Sequence, residues 1–455
     1  MIVVLVLSCY SFGQRATGDE WAIFDETARE GQPVVAAKQK SPIISEIAWE
    51  IDGTWQKQWA NEKTLLKSVS VEDSQFFTLI LNGAGHIQSG NKWRFSYDGG
   101  LKITTKGKHE FRHKHPAVAQ DDLRYIAFLQ PSLHELTLRY TVNDSFILEG
   151  GLLPQKNLVN SLFLNTGNYL DRFVDDALDI GAYTFCGVKA FFPSERHSFA
   201  VTYLPALPEG NDYLADIFHF GKTSNLLIFQ NSYYIGKGRV SFLGFLEEKE
   251  EWTWAAPYLG LGFETQYPFA TFVLHVQALV SEGKAGYALQ QLDPASEERY
   301  LLPDQDSLDD FFPEALLTVT CPLTEAIEVT LGYNYTARGL SAREQDMLFA
   351  TLARTTNPNV LPAASGLGSS ALPYTQHLGL LNLSYPNLTE NMGVNALLWL
   401  NLLDGSGKMI TACFLDLTDT MQLTLTGTLN FGSPDSLFGS EFNRATFQFG
   451  LNVFF

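Results

Sequence analysis

The chain has 455 residues, with Lys plus Arg 31 against Asp plus Glu 50 and a net charge of −19. That balance excludes a protein built to hold nucleic acid, which needs a basic footprint. Hydrophobic residues make up 45 %, yet no apolar run approaches the roughly 18 residues of a transmembrane helix, so helical spans are excluded as well.

The opening "MIVVLVLSCYSFGQ" reads as the apolar region of a secretory leader, with Ser11-Phe12-Gly13 as a small-residue cleavage site before Gln14. Residues 1–13 are thus expected to be a signal peptide, and the missing basic n-region leaves room for a start upstream of Met1. Cys9 behind "VLS" loosely fits a lipoprotein site, and a buried strand is the plain alternative. The other cysteines, Cys186, Cys321 and Cys413, show neither disulfide nor metal-ligand spacing. Cys186 and Cys321 read as ordinary strand residues.

Residues 14–45 are polar and without sustained period, and read as a periplasm-side tail or inner segment. The stretch "ISEIAWEIDGTWQKQW", 44–59, reads either as a first strand or as a plug. From residue 74 onward the pattern is strands. Leu136, Leu138, Tyr140 and Val142 alternate with Glu135, Thr137, Arg139 and Thr141. Ile327, Val329, Leu331, Tyr333 and Tyr335 alternate with Glu328, Thr330, Gly332, Asn334 and Thr336. Leu423, Leu425, Gly427, Leu429 and Phe431 do so with Gln422, Thr424, Thr426, Thr428 and Asn430. Each run is about 10 residues long, the length a tilted strand needs to cross a bilayer.

The connections alternate between tight and long. Tight turns are expected at 143–144, 193–196, 267–269, 322–326, 386–389 and 417–420. Long polar or Gly/Pro-rich segments lie at 151–179, 205–223, 284–313 and 337–375. A meander barrel puts all short turns at one end and all long loops at the other, the plan of bacterial outer-membrane barrels. The pattern from Leu133 onward gives about 15 strands and 74–130 gives one to three more, so the fold class is an all-β, single, antiparallel up-and-down transmembrane barrel of roughly 16–18 strands. The division is a leader over 1–13, a periplasmic, plug or first-strand segment over 14–73, and the barrel over 74–455. Amphipathic "SAREQDMLFATLAR", 341–354, is the best helix candidate, and 156–179 is a second one that could fold into the lumen.

The sequence closes on "ATFQFGLNVFF", in which Phe447, Phe449, Leu451, Val453 and Phe455 share one strand face. This ladder resembles the C-terminal signal by which outer-membrane barrels are recognised by the assembly machinery. The segments 148–171, 329–345 and 397–432 further resemble large outer-membrane porins and export channels of the phosphate-selective and alginate-export kind. That resemblance implies a channel of the bacterial outer membrane, with lipid, lipopolysaccharide and the assembly machinery as partners. It is also compatible with a homo-oligomer.

Chemistry has thin support. "HEFRH", 109–113, has the form H-E-x-x-H, but a zincin needs it on a helix and the flanks here read as strand and turn. His109, His113 and His115 still share a face at period 2, which leaves only a weak metal site against a solvated basic strand. No G-x-S-x-G elbow is present, and neither enzyme activity, metal nor cofactor is expected. Lys102, Lys106, Lys108, Arg112 and Lys114 surround a single acid, Glu110. Facing the lumen they would favour anions; the bland alternative is a solvated edge. The expected pore-lining residues are Lys102, Lys106, Lys108, Arg112, Arg139, Glu328 and Asn334. The acidic stretch 293–314 lacks calcium-loop spacing and reads as a solvated loop.

The expected function is passive diffusion of small polar solutes. A transporter of hydrophobic substrates with an N-terminal hatch, in the manner of fatty-acid channels, and a structural or adhesion barrel acting through its loops are the alternatives.

Overall fold

The computed structural model describes residues 44–60, 74–107, 125–154, 184–206, 225–248, 258–282, 287–290, 300–303, 311–324, 326–337, 339–354, 375–439 and 443–455. The first strands are β1 (Ile44–Ala60), β2 (Ser74–Ser89), β3 (Trp93–Gly107), β4 (Tyr125–Asn143), β5 (Phe146–Pro154), β6 (Thr184–Pro193) and β7 (His197–Leu204). They are followed by β8 (Leu226–Ile235), β9 (Gly238–Glu247), β10 (Tyr258–Pro268), β11 (Val273–Glu282), β12 (Tyr287–Gln290) and β13 (Tyr300–Pro303). The rest are β14 (Phe311–Pro322), β15 (Glu328–Thr336), β16 (His377–Thr389), β17 (Met392–Asn401), β18 (Gly407–Thr418), β19 (Met421–Phe431) and β20 (Asn443–Phe454). One helix, α1, spans Ala342–Arg354.

Among the described residues, all strands except the small hairpin β12–β13 belong to one 18-stranded antiparallel sheet. Each pairs with its neighbours in sequence, β11 with β14, and β20 with β1, so the sheet closes on itself. The barrel therefore begins at Ile44, and 44–60 is its first strand, not a plug. Closure leaves no edge whose backbone groups would be stranded in hydrocarbon.

The connections keep the expected parity apart from the five-residue connection 402–406, which lies at the long-loop end. Gly90–Lys92, Asp144-Ser145, Ser194–Arg196, Gly236-Lys237, Phe269–Phe272, Glu390-Asn391 and Asp419-Thr420 are short and share one end. Local chemistry fixes several of these turns and the β14–β15 turn, 323–327, at the same end. Asn143 Oδ1 accepts from Ser145 N at 2.9 Å, and Thr324 Oγ1 accepts from Ile327 N at 3.0 Å. Gly236 supplies φ +62, a conformation that side-chain-bearing residues avoid. The turn expected at 386–389 is displaced. β16 runs on through Pro386 with a register shift between Tyr385 and Thr389, an irregularity that tolerates the missing N–H, and the chain reverses only at Glu390-Asn391.

The alternation read from sequence sorts the side chains. Ile47, Trp49, Leu138, Val188, Phe242, Leu261 and Leu331 stand on the outer face, each with 47–58 % of its surface exposed. Apolar side chains exposed all round a closed barrel form the belt that lipid covers. Beside the short turns the outer face turns aromatic. Trp93 packs on Tyr140 with ring centroids 4.2 Å apart, Phe146 on Phe192 at 4.8 Å and Phe269 on Phe272 at 4.6 Å. Such rings suit the headgroup level of a membrane. Among the described residues no helix is long and apolar enough to cross a membrane; the strands cross it.

The closing strand behaves as its pattern predicts. Phe447, Phe449, Leu451 and Val453 lie on the outer register positions of β20, with Phe449 42 % exposed. Phe455 N donates to Trp49 O at 2.9 Å, and Phe455 O accepts from Trp49 N at 3.3 Å. Inside the seam Gln448 Nε2 donates to Gln56 Oε1 at 2.8 Å, and outside it Trp55 meets Phe447 edge-on at 6.3 Å.

At the long-loop end α1 is docked by buried polar contacts. Asn401 Nδ2 donates to Gln345 Oε1 at 3.0 Å, and Thr375 Oγ1 donates to Asn401 Oδ1 at 2.6 Å. Ser341 caps the helix with Glu344: the Ser341 backbone N–H donates to Glu344 Oε2 at 2.8 Å.

Candidate solute path through the barrel

The inner wall divides into two sectors. In β18–β20 and β1–β4 most inward positions are polar and many are part-exposed, although Ile410 and Ala412 of β18 and Asn452 of β20 are buried. Thr424, Thr426 and Thr428 stand on β19, Thr446 and Gln448 on β20, and Thr54 and Gln56 on β1. In β5–β11 and β14 many inward positions are covered, although Glu149 of β5 and Lys189 of β6 stay part-exposed. Near the long-loop end Leu153, Phe185, Leu204, Leu226, Ile228, Leu243, Phe245 and Leu279 form one cluster, none more than 3 % exposed. Below it the same strands bury Ser232, Ser241, Glu264 and Gln277, while Glu314 of β14 is buried level with the cluster, opposite Leu279. Arg239 Nη2 donates to Glu264 Oε1 at 2.6 Å, a paired charge on that covered wall. The accessible wall is therefore the polar one, to one side of the barrel axis. The apolar cluster is packed shut and offers no surface to a passing apolar ligand. The alternation read from the sequence does not reveal this cluster. Its residues alternate with apolar outer residues, so no polar stripe marks the inward face.

The expected lining residues fall in different places. Lys102 lies on the inner face of β3, opposite Ile80 of β2 and Gln130 of β4. Arg139 faces inward on β4, opposite Arg94 and Glu149, and Glu149 is opposite Lys189. Three cations and one acid thus form a row across β3–β6. Lys106 lies on β3 opposite Ile126, whereas Lys108, Arg112 and the H-E-x-x-H stretch lie outside the described residues. Glu328 sits at the short-turn rim, opposite Ser384 and Pro322. Asn334 faces inward but is buried at 6 % exposure, opposite Leu316 and Leu378.

Sequence reasoning missed an acidic patch on the accessible wall. Glu50 and Asp52 face inward on β1, and Asp98 does so on β3. Between them Asn82 of β2 donates through Nδ2 to Asp98 Oδ1 at 3.0 Å, and Thr54 Oγ1 donates to Asp52 Oδ1 at 2.9 Å. The row continues on the other side: Asn452 lies opposite Asp52 and Gln422, and Gln422 Nε2 donates to Asp416 Oδ1 at 2.8 Å. The signal was present in 44–59, where Ile47, Trp49 and Ile51 alternate with Glu46, Glu50 and Asp52.

No protein-family model and no curated sequence matches the chain. Solved structures are similar in fold. OccAB1 of Acinetobacter baumannii matches with TM-score 0.50 and 8 % identity over 90 % of this chain and 96 % of that one. OccK8 (OprE) of Pseudomonas aeruginosa matches at 0.47 and 8 % over 90 % and 97 %. OmpF of Salmonella typhi, solved with daunomycin, matches at 0.43 and 6 % over 91 % and 100 %. The fold is that of the outer-membrane porins.

Proposed function

We propose that the protein is a passive channel of a bacterial outer membrane, through which small polar solutes diffuse. The observation that carries this reading is the accessible polar wall of β18–β20 and β1–β4 inside a closed, apolar-belted barrel. A polar lumen in such a barrel supports water and solute passage. On this reading the short turns face the periplasm, the long loops face lipopolysaccharide, and residues 1–13 are the removed leader. Lys102 and Arg139 line the path, while the terminal ladder from Phe447 to Phe455 addresses the chain to the assembly machinery. Such a channel performs no chemistry of its own. Purified protein added to a planar bilayer should give stepwise conductance. A folded barrel, identified by its heat-dependent gel migration, that gives no steps would refute the reading.

A further inference from the structure

We propose that the inner wall where β20, β1, β2 and β3 meet holds a subsite for a small hard cation, and that the channel passes cations in preference to anions through it. The inference rests on the channel reading and adds the class of ion and its residues.

Four adjacent strands supply the ligands. Glu50 is directly opposite Asn82, and Asp52 is directly opposite Asn452. Asp98 is tied to Asn82 by the hydrogen bond from Nδ2. Asp52 is two residues on from Glu50 on the same inner face of β1, and Asp98 stands on the inner face of β3, two strands across. Like charges held together are an unfavourable arrangement that a counter-ion relieves.

The two asparagines point independently to a cation. Asn452 is 8 % exposed, and its Oδ1 is buried with no hydrogen-bond partner. The Oδ1 of Asn82 is likewise buried and unpartnered, while its Nδ2 is committed to Asp98. A buried amide oxygen with no donor is uncommon. Here two such oxygens stand among carboxylates, which bring no hydrogens when ionised. A cation satisfies both groups at once, whereas an anion satisfies neither. All the candidate ligands are oxygens, the set preferred by Ca2+, Mg2+ and the alkali ions.

Among the described residues no three acidic, His or Cys side chains are arranged to ligate one metal directly. The ion therefore keeps part of its water shell. Loose, partly hydrated binding is what conduction needs, because an ion held too firmly cannot leave. Lys102 is opposite Ile80, and Ile80 is opposite Asp52, so this cation stands level with Asp52 on the β3 side and bounds the patch there.

The probe is Ca2+ alone, applied to the refolded full chain in two ways. In planar bilayers under a KCl gradient, wild-type channels should reverse at a cation-selective potential, and millimolar Ca2+ should reversibly reduce the K+ current. In detergent, the same Ca2+ should raise the melting temperature. Glu50→Gln with Asp52→Asn should raise the half-effective Ca2+ concentration about tenfold or more in both measurements. Asp419→Asn, in a short turn outside the patch, should change neither. Where the double variant does not fold, Asn452→Ala removes one ligand oxygen without touching a charge and should weaken Ca2+ in the same direction. Anion selectivity in the wild type, or equal Ca2+ potency in wild type and variants, overturns the proposal. A barrel without conductance refutes the channel reading instead, and the Ca2+ dependence of melting then still decides the subsite.

Discussion

The sharpest consequence of the two-faced strands is tested by one charge moved one residue. Leu425 and Thr426 are consecutive in β19, an 11-residue strand, and both stand near its middle. Leu425 is in register with Cys413 and Phe449 on the outer face, and Thr426 with Ala412 and Gln448 on the inner face. Leu425→Arg places a guanidinium in hydrocarbon, at a cost of about 2–4 kcal/mol near the bilayer midplane. Thr426→Arg projects the same group into the polar lumen beside Gln448, where water still solvates it, and should cost about 0–1 kcal/mol. A stability of order 5–15 kcal/mol survives either change, so both variants should fold. Denaturant unfolding of barrels refolded into lipid vesicles measures the difference through the midpoint, with the slope expected to stay constant. Thr426→Arg should also reduce single-channel conductance, whereas Leu425→Arg should not. Equal destabilisation by the two, or a larger loss at Thr426, would show that the faces have been assigned the wrong way round.

Much of this fold was legible because a closed barrel repeats one rule. Alternation fixed the faces of β4, β15 and β19 directly, and the parity of connections fixed which end each strand starts from. The boundaries that escaped did so for local reasons. Gly236-Lys237 lies inside "SYYIGKGRVSF", where the only turn signal is the short Gly-Lys-Gly-Arg between apolar and aromatic flanks. Pro386 looked like the start of a turn, yet an irregular register lets β16 carry it. Residues 44–59 were ambiguous because a plug segment and a first strand can share one amphipathic pattern. Only pairing on both sides, with β2 and with β20, decides between them.

The site was far less legible, because a lumen is assembled from residues distant in sequence. Asn452 and Asp52 are neighbours only because the first and last strands close the barrel, and no local window contains both. The basic run that drew the eye, from Lys102 to Lys114, contributes Lys102 to the described inner wall. The wall's other cations, Arg94, Arg139 and Lys189, are single residues on separate strands. Register, not clustering along the chain, decides which charges a solute meets.

Four further outcomes follow from the geometry. Lys102→Gln with Arg139→Gln should lower anion relative to cation permeability, more so in dilute salt, because charge is screened within about 10 Å at 0.1 M; unchanged reversal potentials would place both side chains off the path. Asn401→Leu strips buried partners from Gln345 and Thr375, a loss of about 1–3 kcal/mol for each group left unsatisfied. Amides of α1 should then exchange faster while β19 keeps its protection, and uniform protection would refute the docking. At Gly83 a Cβ would stand 2.7 Å from Trp49 Cζ3, so Gly83→Val should destabilise by about 1–3 kcal/mol. Trp49→Ala should recover part of that loss, and strictly additive losses would argue that the two do not touch. Deleting Phe455 removes a side chain already 70 % exposed and the two backbone bonds to Trp49. Each bond contributes about 0.5–1.5 kcal/mol net, and the long seam between β1 and β20 is otherwise intact, so refolding into detergent should survive. If the terminal ladder acts as an address, outer-membrane levels in cells should fall far more than refolding yields, and normal levels in the membrane would leave Phe455 as an ordinary strand end.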